Sequence, residues 1–67
     1  MKIGDKFDRV VTDGHAWQVG VDGVETITVV EINGQMAPVP WFQVLYAEQV
    51  FTVMVNAASV VFALEAR

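Results

Sequence analysis

The C-terminal half of this chain is almost free of charge. Between Gly34 and Leu64 the only charged residue is Glu48. A strand in a lone small domain usually alternates, with one apolar face toward the core and one polar face toward water. Residues 50–55 and 60–64 are instead apolar at both sets of alternating positions. We therefore expect one face of these segments to lie in the protomer core and the other against a second chain.

The chain is short and has few ways to stabilise itself. It has 67 residues and no cysteine, which indicates a single domain spanning residues 1–67. A domain of this size buries only about 60% of the surface that its unfolded chain exposes. Disulfides and thiolate metal sites are excluded, and a single histidine, His15, argues against a structural zinc site. Oligomerisation remains as the usual alternative, and we expect no cofactor and no metal.

Charge and hydropathy exclude several classes of partner. The net charge is −4 with only four basic residues, too few for the stripe that a phosphate backbone needs. The first residues contain no apolar segment of the kind found in a signal peptide. The most apolar window, 50–64, is shorter than the roughly twenty residues of a membrane-spanning helix. We expect a cytoplasmic protein without nucleic-acid or membrane partners.

The pattern of residues predicts an all-β fold. Valine, isoleucine, threonine and aromatic residues dominate, and turn signals recur at short intervals. The predicted extended segments are 6–11, 16–21, 24–32, 41–47, 50–55 and 60–65. We expect a small SH3-like barrel or a strongly bent antiparallel sheet of about five strands, with one 3₁₀ turn over 56–59 before the last strand. A simple open meander is the competing layout.

Turn residues divide these segments. Asp22-Gly23 and Asn33-Gly34 each predict a two-residue turn, because both residue types adopt positive φ at low cost. Two prolines, at positions 38 and 40, predict that the following strand begins irregularly or at an edge. The segment 37–41 could also dock, as an extended segment, into an aromatic groove of a partner.

The N-terminal residues have a recognisable pattern. Gly4-Asp5-Lys6, a short strand, and then Gly14-His15-Ala16-Trp17-Gln18 with Gly20 resemble the opening of the plasmid- and integron-borne type II dihydrofolate reductases. That family is a small SH3-like barrel that assembles as a tetramer around a central pore. The resemblance implies the same fold and a similar habit of self-assembly.

The catalytic segment of that family has no counterpart here. The family lines its pore with a Val-Gln-Ile-Tyr segment, and the corresponding stretch of this chain is Val53-Met54-Val55-Asn56, without the glutamine and the tyrosine. The family's substrate-binding lysine falls near Val11. The resemblance therefore implies fold and assembly rather than folate reduction.

Aromatic and polar residues provide candidate binding sites. Aromatic side chains with a polar tip are enriched where proteins bind ligands or each other. The candidate ligand-binding residues are His15, Trp17, Gln18, Trp41 and Tyr46. Asp13 beside His15 could form an acid–base pair or two metal ligands, or simply a solvated turn. Alternatively, one tryptophan lies in the core and the other seals a contact between protomers.

These features favour a binding protein. A catalytic site needs a nucleophile or base with a positioned third group, and the sequence contains no such set. The candidate interface residues are Val50, Phe51, Val53, Met54, Val55, Val61 and Phe62. We expect a homo-oligomer that binds a protein or small ligand at a protomer interface, typical of phage and mobile-element accessory proteins. The alternatives are an enzyme whose site forms only in the oligomer and a subunit of a hetero-complex.

The two-sided pattern makes a mutational prediction. Replacing Val53 and, separately, Met54 with aspartate should damage different properties, because neighbouring side chains of a strand point to opposite faces. One change should unfold the protomer and the other should dissociate the assembly. Thermal unfolding and mass in solution measure the two effects. A substitution that alters neither would show that its face is open to water.

Overall fold

The chain folds into strands joined by short turns. A computed structural model describes residues 2–33, 38–48 and 50–67. The elements are β1 (Lys6–Thr12), β2 (His15–Gln18), β3 (Val24–Asn33), β4 (Pro38–Tyr46), β5 (Thr52–Asn56), the 3₁₀ turn η1 (Ala57–Ser59) and β6 (Val60–Glu65). Among these residues, no helix is both long and apolar enough to cross a bilayer.

Strand β1 is the centre of the sheet. The strand order is β2-β1-β3-β4-β5, and β6 pairs with β1 from its other side. Phe7 shows this directly, since it lies opposite Ile27 of β3 on one edge and Glu65 of β6 on the other. The first edge of β1 is shared, with β3 beside its start and β2 beside its end. All pairs are antiparallel, and the sheet curls into a half-barrel.

This topology confirms the expected strongly bent antiparallel sheet with a 3₁₀ turn before the last strand. It is not a simple meander, because β1 pairs with β3 and with the last strand, β6, as well as with β2. The curl stops short of a closed barrel in the described part of the chain, where β5 pairs only with β4 and β6 only with β1.

The core lies inside the curl and is small. Phe7 and Phe42 meet edge to face, with ring centroids 4.9 Å apart at 85°, a favoured aromatic geometry. The buried side chains are Phe7, Val10, Val24, Ile27, Val29, Phe42, Val44 and Val55. They come from β1, β3, β4 and β5, so β6 contributes no fully buried side chain to the core.

A bulge in β3 changes the predicted alternation. Strict alternation places Val24 on the face opposite Ile27 and Val29, but all three side chains are buried in the core. The β3–β4 register shifts between Val24 and Thr26. An extra residue in one strand inverts the alternation beyond it, and this brings Val24 to the inner face. Strict alternation therefore fails at Val24 because of the bulge.

The two predicted turns have different outcomes. Asp22 and Gly23 have φ of 54° and 83°, and the Val24 N–H donates to the Val21 carbonyl at 3.1 Å, so the first turn is confirmed. Gly34 lies outside the described residues. However, Asn33 pairs with Pro38 in the β3–β4 ladder. Asn33 therefore belongs to the strand, and a two-residue turn that begins at Asn33 is wrong.

The prolines lie where β4 has a neighbour on one side only. The β3–β4 ladder includes Pro38 and Pro40, whereas pairing of β4 with β5 begins at Trp41. A proline has no N–H to donate, so it is tolerated at such an edge. The described part of the proposed docking segment is thus paired within β4, while Ala37 lies outside the described residues.

After β4, the structure differs from the prediction at the start of β5 and agrees with it at η1 and β6. Strand β5 begins at Thr52, so Val50 and Phe51 precede it rather than belonging to it. The η1 turn is capped by Asn56, whose side-chain oxygen accepts from the Ala58 N–H at 2.9 Å. Such a cap satisfies a backbone donor at the start of the turn. The predicted last strand, 60–65, is confirmed.

Because the core is a single small cluster, each large member should matter. We expect Phe42→Ala to lower the free energy of unfolding by about 3–5 kcal/mol, through lost burial and the cavity left beside Phe7. Chemical denaturation measures this change. The control is Ile3→Ala, since Ile3 is 58% exposed and should shift stability by less than about 0.5 kcal/mol. Equal effects of the two changes would contradict this description of the core.

Candidate functional site

Four of the five predicted ligand-binding residues lie around one groove. His15, Trp17, Gln18 and Tyr46 line a cavity of about 250 Å³ between β2 and the ends of β3 and β4. We call this cavity the β2 groove. The remaining lining residues are Arg9, Ala16, Val21, Asp22 and Val24. The fifth candidate, Trp41, lies elsewhere, in β4 opposite Val30 and Asn56.

Trp17 is the side chain that shapes the groove. It lies opposite the fully buried Val10 in the β1–β2 ladder, and paired residues of an antiparallel ladder share one face. Trp17 therefore points to the inner side of the curl, where it is partly buried and packs against the core. It also lines a second cavity with Val53 and Met54 of β5. The indole thus lies in the seam between β2 and β5.

The His15 ring lies against the Trp17 ring. The two ring centroids are 4.3 Å apart with the planes tilted by 40°. His15 is two residues before Trp17 in β2, so both side chains project from the same face of the strand. Asp13, its proposed partner, lines the cavity beyond Trp17 instead of the groove. The structure therefore does not bring Asp13 and His15 together in one cavity.

The polar groups of the groove are exposed and of both signs. Arg9 and Gln18 are paired across β1 and β2, and Asp22 lies in the turn before β3. Arg9 and Asp22 were not among the predicted residues. Their signal in the sequence was weak, because an isolated charge in a strand or turn is usually only solvated. The groove offers a guanidinium, an amide and a carboxylate beside aromatic walls, a set suited to binding.

No metal-binding cluster is found in the described part of the chain, where no group of three His, Asp or Glu side chains could hold a metal ion. The lining of the β2 groove includes side chains that can form hydrogen bonds, among them His15, Gln18 and Arg9. Trp17 and Tyr46 offer aromatic rings on which a ligand can stack.

An apolar patch adjoins the groove at Tyr46. The Tyr46 ring stacks against Phe51 with centroids 5.6 Å apart. Phe51 is exposed, and Val50 beside it is fully exposed. These two predicted interface residues thus extend the groove surface outward.

Strand β6 is the second exposed apolar surface. Val61, Phe62 and Leu64 expose 70%, 51% and 52% of their surface, and β6 is partly buried only at Val60. The ladder places Phe62 opposite Val11 and Leu64 opposite Arg9 of β1. The predicted interface included Val61 and Phe62 but not Leu64, although all three lie in the same apolar segment.

The β5 candidates are less available to another chain. Val55 lies opposite Phe42 and is 5% exposed, so its side chain belongs to the protomer core. Val53 is partly buried and packs against the same core, opposite Val44. Met54 lies on the opposite face, beside Gln43, and is also partly buried. The exposed apolar area lies instead on β6 and at 50–51.

Comparison with protein-family models, curated proteins and solved structures finds no match to this chain. The β2 groove and the exposed apolar side chains of β6 are therefore the features that bear on function.

Proposed function

We propose that this chain is a non-enzymatic binding protein that assembles from identical copies. The observation that carries this proposal is the exposure of apolar side chains along β6, where Val61, Phe62 and Leu64 each leave half or more of their surface uncovered. Contiguous exposed apolar surface marks an interaction site in proteins of this kind. A second copy is the partner that we propose, because the unpaired edge of β6 in the described part of the chain can pair with an identical edge about a twofold axis.

The energy available from β6 is enough to matter. Fully burying a valine, leucine or phenylalanine side chain stabilises by about 1.5–3 kcal/mol. Complete burial of the exposed fractions of Val61, Phe62 and Leu64 would contribute at most about 4 kcal/mol per protomer, and of the three only Phe62 and Leu64 share one face of β6. In a twofold interface both protomers bury the same surface, so the two contributions together would be about 8 kcal/mol. That equals a dissociation constant near 1 µM before the cost of association is subtracted, so further contacts must contribute.

The β2 groove is the site at which such an assembly would bind its ligand. Trp17 and Tyr46 provide aromatic walls, and Arg9 provides an exposed cation. Small-molecule sites usually enclose about 300–1,000 Å³, and the groove holds about 250 Å³. It therefore suits a small group, such as one side chain of a protein partner or a single ring.

The clustering of His15 with Trp17, Gln18 and Tyr46 also favours a second candidate, an enzyme whose site is completed by assembly. The resemblance to type II dihydrofolate reductases would make NADPH its cofactor. A calorimetric titration with NADPH tests this version. We expect no heat of binding, and saturable binding that is lost in Gln18→Ala would support the enzyme instead.

Assembly makes a direct prediction. Sedimentation velocity from micromolar to hundred-micromolar concentration should give a mass above the 7.4 kDa of one chain. We expect Leu64→Lys to lower this mass toward the monomer, because a lysine on an edge strand opposes pairing with another chain. The control is Ile3→Lys, since Ile3 is exposed to a similar extent (58% against 52%) and should leave the mass unchanged.

The opposite outcome is equally clear. A wild-type chain that stays monomeric over the whole range contradicts the homo-oligomer. A chain that is insoluble alone but soluble after co-expression with another protein indicates a hetero-complex subunit.

A further inference from the structure

Strand β6 has an open backbone edge. Its other edge is paired with β1, and beyond the ladder the Ala66 N–H donates to the Lys6 carbonyl at 3.0 Å. Backbone groups of successive strand residues point to opposite edges. Leu64 therefore also points toward β1, whereas Ala63 and Glu65 direct their N–H and C=O groups away from it. In the described part of the chain no strand pairs with that side of β6.

Apart from a register shift at Val61, this edge lacks the devices that normally prevent pairing. Natural edge strands carry inward charges, lysines or prolines, or are very short. Residues 60–64 contain none of these, and β6 is six residues long. The other two edge strands have some protection against pairing. Strand β2 is very short, with four residues, and Trp17 lies beside β5, where it lines a cavity together with residues of that strand.

We propose that two copies join by antiparallel pairing of their β6 strands about a twofold axis at Ala63, which makes one continuous sheet. The inference rests on the proposed homo-oligomer and names the surface that forms it. Ala63 would exchange two backbone hydrogen bonds with Ala63 of the second copy. Phe62 would lie opposite Leu64 of the second copy, on the face that also carries Val11.

Charge favours the antiparallel direction. In this register Glu65 lies opposite Val61 of the second copy, and the two Glu65 residues are four positions apart. At about 3.3 Å per residue that separation is about 13 Å, which exceeds the Debye length of about 8 Å at physiological salt. A parallel pair would instead place Glu65 directly beside its equivalent, and like charges opposite each other destabilise a sheet.

Cross-linking tests the axis position. The chain has no native cysteine, so Ala63→Cys introduces a single thiol. Directly paired residues have Cα atoms about 5.5 Å apart, which lies within the range that a disulfide can span. We expect mild copper-catalysed oxidation to convert Ala63→Cys into a covalent dimer. The control Ala16→Cys is also exposed, but it lies five strand spacings, or about 24 Å, from its equivalent and should stay uncoupled.

A second variant tests the backbone contact. Ala63→Pro removes the N–H that faces the open edge and leaves the β1 ladder intact. We expect a folded monomer with the dissociation constant of the pair raised by at least about tenfold, measured by sedimentation. Ala63→Val keeps the N–H and should stay paired. Circular dichroism checks that the variant is folded. If Ala63→Pro does not fold, the cross-linking of Ala63→Cys remains as the test of the β6 pairing.

The outcomes separate this inference from the proposed function. A wild-type dimer in which Ala63→Cys does not cross-link overturns the β6 pairing but leaves the homo-oligomer standing. A strictly monomeric wild-type chain overturns both. Mass that grows without limit with concentration indicates head-to-tail pairing of β6 with another edge, and also overturns the twofold pair.

Discussion

The fold depends on the pairing of β1 with three other strands. One edge of β1 holds both β2 and β3, and the other holds β6. Since β3 continues into β4 and β5, the sheet curls in that direction, and the inner face of the curl closes over eight buried side chains. Strand β6 extends the sheet the other way. It is held by backbone pairing with β1, but no layer of the described residues covers its side chains.

The two candidate surfaces lie on either side of β1 and meet at one residue. Strand β2 pairs with one edge of β1, and β6 pairs with the other. Arg9 lines the β2 groove and lies opposite Leu64 of β6. Pairing through the outer edge of β6 would place the two β2 strands of a dimer five strand spacings, or about 24 Å, apart, so each protomer would keep its own groove.

Local signals in the sequence predicted local structure well. The Asp22-Gly23 turn, the 3₁₀ turn after Asn56 and the bounds of β6 all follow from residues that are adjacent in the chain. The failures were non-local. The bulge that buries Val24 is set by the register against β4, and strict alternation cannot anticipate it.

The candidate sites show the same limit. Four ligand candidates were predicted one by one, but only the turn of the chain at Asp22 brings Tyr46 to β2 and adds Arg9 to the lining. The sequence also shows that both faces of the last two strands are apolar, but it does not show which of these side chains are buried and which are exposed. Val55 and Phe62 are equally apolar in sequence, and only the curl of the sheet decides that Val55 is buried and Phe62 exposed.

The distribution of charge has a structural consequence at β6. Charged side chains on an edge strand normally oppose pairing with other chains. Between Val60 and Leu64 there is no charge at all, although no strand pairs with the outer edge of β6 in the described part of the chain. An uncharged apolar edge usually lowers solubility, and a chain tolerates this cost when the edge is covered. The absence of charge on this edge is therefore the strongest reason to propose β6 as an interface.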